Sequence, residues 1–120
     1  MYIFLFCMVL LTPAVMAAAG KLWTKRPPKE VNDIYGYRTA MSMKNRDTWD
    51  FAHRLCGRLW FRSGLVSGIV SAVLMLVFAR YDETLSLILV FSQIGLLFLL
   101  ILPVEAALNR HFDKDGNRKK

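Results

Sequence analysis

A chain of 120 residues is long enough for one small domain, but at 55% hydrophobic and 21% charged residues its apolar side chains are gathered into blocks. The stretches 1–20, 63–79 and 84–104 carry no charge and approach or reach the ~20 residues that cross a bilayer core, which argues against soluble core helices with a polar stripe on each. The net charge of +7 would suggest nucleic acid in a soluble protein, yet ten of the 16 Lys and Arg fall in 21–62, five in 105–120 and one at Arg80, so the pattern is the positive-inside signal and no direct nucleic-acid contact is expected.

The first run, 1–20, is expected to be an uncleaved span with its N-terminus outside. Ala17-Ala18-Ala19 has the look of a leader cleavage site, but Met1 to Thr12 holds no basic residue and the basic cluster follows the run instead of preceding it. Pro13 removes one backbone donor and should kink this helix, with a neighbouring helix or Thr12 satisfying the freed carbonyl. Trp23 suits the headgroup level, Lys21, Lys25 and Arg26 suit lipid phosphates, and Pro27-Pro28 ends the helix. Cys7 and Cys56 lie too far apart in this layout for a disulfide.

The block from Asn32 to Trp49 is polar, aromatic and rich in small residues. Gly36 between Tyr35 and Tyr37, followed by Arg38 and Thr39, points to an ordered turn, and either Ser42 or Asn45 can cap a helix that has Asp47 in its first turn. Beyond it, Trp49, Ala52, Cys56, Leu59 and Trp60 share one helical face, while Asp50, Arg54, Arg58 and Arg62 step by four along another. An amphipathic helix lying in the cytoplasmic interface and bending near Gly57 into the second span is the expectation.

In that span Gly64, Gly68 and Ala72 recur every fourth residue, a helix-packing stripe that serves either another span of the chain or a second copy in a homo-oligomer. The hairpin Arg80 to Glu83 is expected outside. Gln93, in the third span, should face protein and hydrogen-bond a neighbouring helix. Glu105, just beyond Pro103, calls for a cationic partner: Arg38 is the candidate, Lys21 and Arg62 compete, and exposure to water is the alternative. In the tail, Asp113, Asp115 and Asn117 have the spacing of a calcium loop's opening, but the glycine is misplaced and no closing Glu follows, so the terminal lysines are expected to meet anionic headgroups instead.

The order Asn32, Tyr35-Gly36-Tyr37-Arg38-Thr39, Ser42-Met43, Asn45 and Trp49, with Phe112-Asp113-Lys114-Asp115-Gly116-Asn117 after the last apolar run, resembles the SdpI family of bacterial membrane proteins. Ala52-His53 stands where the family pattern has Ala-Asn. The resemblance implies immunity to a secreted membrane-active peptide toxin, toxin-linked signalling through a cytosolic repressor, or both, with the signature residues, Glu105, Phe112, Asp113 and Gly116 as functional positions. The alternative is a membrane tether that binds a cytosolic regulator through the basic signature region and protects nothing.

No nucleophile-base pair, phosphate loop or ligand set of three or four stands at a workable spacing, so neither enzyme chemistry nor a metal or cofactor is expected. The chain is thus read as one all-α integral membrane domain, 1–120. It has three transmembrane helices, a cytoplasmic signature region at 21–62 with its interfacial helix, and a cytoplasmic tail at 105–120.

Overall fold

The computed structural model describes residues 1–28 and 37–119. Helix α1 (Tyr2–Lys25) rises through the first apolar run, α2 (Arg46–Val77) returns, a single 3-10 turn (Ala79–Tyr81) reverses the chain, and α3 (Asp82–Leu99) and α4 (Ile101–His111) follow. At 1.5 Å per residue α1 and α2 are about 36 and 48 Å long, and the bundle measures 55 × 23 × 21 Å. Among the described residues three helical stretches are long and apolar enough to cross a membrane, with α3 and α4 counting as one. Leu65, Val66, Ile69, Val73, Leu87, Ile88, Phe91 and Phe98 project from α2 and α3 into what would be lipid, a surface that water would not tolerate. The protein is an all-α, multi-pass membrane protein.

Helices α1 and α2 are antiparallel neighbours along nearly their whole length because small residues let their backbones touch. A Cβ on Gly20 would lie 2.5 Å from the Gly57 carbonyl oxygen, and one on Gly57 would lie 2.6 Å from that of Gly20. Farther along, Gly64 sits against Pro13 and Ala17, and Gly68 against Pro13, so α1 occupies the small-residue stripe; Ala72, next in the series, is half-buried. Val9, Met75 and Leu89 form a core between the three spans, and the Tyr2 hydroxyl donates to the Met75 carbonyl at 2.6 Å.

Within the apolar zone one polar group is placed with a clear purpose. Pro13 has no N–H, so the carbonyl of Val9 lacks its helical donor, and the Gln93 amide donates to that carbonyl at 2.9 Å and to Ser71 Oγ at 3.1 Å.

Three boundaries differ from the sequence expectation. The expected interfacial helix and the second span are a single uninterrupted helix, α2, and among the described residues no separate element lies across the bundle. Its Trp49, Ala52 and Cys56 face is covered by protein, because α1 runs a turn beyond its apolar run and α4 and the Tyr37 segment close over the remainder. The helix of the third span breaks at Leu100, where Pro103 has no N–H to give to the Leu99 carbonyl, and resumes as α4, which carries the first part of the expected tail through His111.

Candidate functional site

At the end of the bundle away from the Ala79–Tyr81 turn, the charged part of α2 (46–62), the last turns of α1, α4 and the tail form a compact cap. Its core is Trp23, Tyr37, Ala52, Cys56, Val104, Leu108 and Phe112. Asn32, Tyr35 and Gly36 lie outside the described residues, but both ends of the segment that carries them are fixed. Trp49 Nε1 donates to the Pro28 carbonyl at 2.9 Å, and the Tyr37 backbone amide donates to His53 Nε2 at 2.8 Å.

Asn45, rather than Ser42, is the helix cap. Its side-chain oxygen accepts from the Thr48 amide at 2.9 Å and the Thr48 hydroxyl lies 3.1 Å from the Asn45 amide, a reciprocal capping box. Ser42 closes the turn before it: its buried hydroxyl accepts from the Thr39 amide at 2.9 Å and lies 3.1 Å from the Tyr37 carbonyl, while its own amide donates to Thr39 Oγ1 at 3.2 Å. Thr39, Ser42, Asn45 and Thr48 thus form a continuous run of side-chain bonds that satisfies backbone groups where no helix does.

His53 is the centre of the cap. Since Nε2 accepts from Tyr37, the proton sits on Nδ1, which donates to the Trp49 carbonyl at 2.8 Å. The ring is fully buried, 4.3 Å from Trp49 and 5.2 Å from Trp23 between centroids, and Tyr37 stands edge-on at 6.5 Å. Burial holds its pKa below the ordinary value, against the opposing pull of the Trp49 carbonyl and Asp50, so the ring is neutral. Burial also pushes the Cys56 thiol up to about 12 and leaves it unreactive. The spacing Trp49 to His53, one helical turn, placed His53 next to the signature, but only the fold shows what its second nitrogen holds.

Glu105 is reached by the residue before the expected one. The Tyr37 hydroxyl donates to Glu105 Oε1 at 2.8 Å, and burial together with the carboxylate raises the phenol pKa so that it stays a donor. Arg38 is exposed beside it.

The tail clasps the start of α2. Phe112 is buried and meets Phe51 edge-on at 5.4 Å, and an isolated antiparallel bridge joins Phe112 to Arg118. Asp113 Oδ1 accepts from the amides of Asp115 and Asn117, both at 2.9 Å, so this carboxylate organises the turn. Gly116 has φ +85°, and its carbonyl accepts from Asn45 Nδ2 at 2.7 Å. Arg118 holds Asp47 through two bonds of 2.8 Å, an ion pair that the sequence did not announce because 71 residues separate the partners. Among the described residues no group of three or more His, Cys, Asp or Glu side chains is gathered as a metal site.

The arrangement ties loop, helix start, last helix and tail together, and three signature residues, Tyr37, Asn45 and Trp49, do so by direct bonds. The sequence model of the SdpI/YfhL protein family matches residues 29–104, a stretch that includes α2, α3 and the start of α4. The uncharacterized protein YfhL of Bacillus subtilis (strain 168) is 44% identical over 52 residues, covering 43% of this chain, and the match spans about half (47%) of that relative's length. No solved structure matches the chain significantly. With the family's sequence model matched over more than half of its length, the chain belongs to the SdpI/YfhL protein family.

Proposed function

We propose that this protein confers immunity on the membrane that contains it, protecting against a secreted membrane-active peptide. Family membership motivates the reading. The observation that carries it further is the contrast between the two ends of the bundle. One end is a single exposed turn, Ala79–Tyr81, with little surface for an external ligand, while the other is a cap in which the Tyr37, Ser42, Asn45 and Trp49 side chains make internal bonds. A peptide would therefore meet the spans inside the bilayer, and the cap would hold the ends of the helices in position. Positive-inside asymmetry supports an orientation with the cap in the cytoplasm and the N-terminus outside, in which the exposed Lys21, Lys25, Arg26, Arg58 and Arg62 would lie near anionic headgroups.

A second reading is favoured by the exposed cations Arg38, Arg54 and Arg58 on or beside the cap: a membrane tether that binds a cytosolic regulator and gives no protection. The two separate in one experiment. A sensitive bacterium expressing the wild type or Arg38→Ala is challenged with a panel of membrane-active peptides, with membrane abundance measured in parallel. Protection by the wild type supports immunity, and its loss in Arg38→Ala at equal abundance makes the signature part of the working surface. No protection from an abundant, inserted wild type rejects immunity and leaves the tether.

A further inference from the structure

Five of the described glycines are explained by close contacts. A Cβ on Gly20, Gly57, Gly64, Gly68 or Gly116 would meet another atom at 2.5 to 3.2 Å. Gly95, near the C-terminal end of α3, meets nothing within 4 Å, although glycine inside a helix costs about 1 kcal/mol relative to alanine. It stands on the wall of an open groove of about 520 Å³ between α2 and α3, together with Ser67, Ser92 and Gln93. Ser92 is exposed one turn before Gly95, and among the described residues neither the Ser67 nor the Ser92 side chain makes a hydrogen bond. The Gln93 side chain is 3% exposed, and its Oε1 has no donor. At this depth water is absent, so each unmet polar group is costly.

We propose that this groove is a homodimer interface, in which the Ser92–Gly95 face of α3 from a second copy docks against the same face of the first. The patch is self-complementary, as a two-fold interface requires: it carries unused hydroxyl donors, Ser67 and Ser92, and an unused acceptor, Gln93 Oε1. The Gln93 Nε2 atom stays on Val9 and Ser71, which leaves Oε1 for a hydroxyl entering the groove. Gly95 and Ser92 let the partner's backbone approach closely, which an apolar lipid tail does not need, and a tail brings no donor. The Gly64–Gly68 face cannot serve, because α1 already covers it.

The test is oxidative cross-linking in native membranes of the full chain carrying Cys7→Ala. Cys56 stays, since it is buried with its pKa near 12. Ser92→Cys and Ser67→Cys are compared with Ile69→Cys, an exposed position on another face of α2. The expected result is a covalent dimer of the chain from Ser92→Cys and Ser67→Cys and little from Ile69→Cys. Adding Gly95→Leu should lower the Ser92→Cys dimer about tenfold, the equivalent of about 1.4 kcal/mol, at unchanged membrane abundance. Cross-linking no greater than that of Ile69→Cys overturns the proposal, and so does cross-linking to a foreign protein or peptide alone, which would give the groove to another helix.

Discussion

Gln93 on α3 donates its side-chain amide to the carbonyl of Val9 on α1, the one carbonyl that Pro13 strips of its helical donor. The third span thereby repairs a defect in the first. The expected consequence is thermodynamic coupling between positions 13 and 93. Gln93→Leu should destabilise the bundle by about 1 kcal/mol, within the range of interhelical bonds in membranes. In a Pro13→Ala background the same change should cost less, because the new amide at position 13 closes the bond to Val9. A double-mutant cycle of unfolding in micelles measures this, and strict additivity would remove the repair from the account.

His53 makes the cap sensitive to acid. Its folded-state pKa lies below the ordinary value of about 6.5, so the unfolded chain binds the extra proton first as pH falls. The stability it contributes is complete above that ordinary value and declines below it, down to the folded-state pKa, by at most about 1.4 kcal/mol per pH unit. His53→Gln, which keeps an acceptor for the Tyr37 amide but no titrating group, should flatten this part of the profile. Thermal unfolding between neutral and mildly acidic pH is the measurement, and equal slopes in both proteins would show that another group titrates.

Tyr37 ties the signature to α4 through Glu105. Tyr37→Phe removes a bond to a charged acceptor in a half-buried place, and should cost about 1.5 kcal/mol. Glu105→Gln keeps an acceptor and should cost less. Hydrogen exchange of the Tyr37 to Met43 amides should rise in both variants, more in Tyr37→Phe. Unchanged protection would mean that His53 and Trp49 hold the segment without help.

The tail turn depends on Gly116, whose positive φ and contact with the Asn45 side chain leave no room for a Cβ. Gly116→Ala should free the tail and weaken the Asn45 cap, lowering stability by about 1 kcal/mol or more. By contrast Arg118→Ala breaks an exposed ion pair with Asp47 and should cost under about 1 kcal/mol. Limited proteolysis after Arg110 distinguishes the two: cleavage should accelerate far more in Gly116→Ala.

Much of this protein is written in its sequence as local chemistry. Three charge-free runs fix the spans because only a closed helix satisfies backbone groups in hydrocarbon. Ser42 and Asn45 announce a helix start nearby, Pro13 announces a defect, and Gly64 with Gly68 announces a close approach, each through properties a residue has wherever it stands. The tertiary structure decided the partners. It made α1 the occupant of the small-residue stripe, gave Gln93 to Val9, set the Tyr37 hydroxyl on Glu105, and turned a Trp-edged face expected to meet lipid toward Trp23, Tyr37 and α4. His53 shows why: its helical spacing places it beside Trp49, but the proton on Nδ1 and the bond to Tyr37 exist only because distant segments are brought within hydrogen-bond reach, and short-range pattern carries no information about that distance.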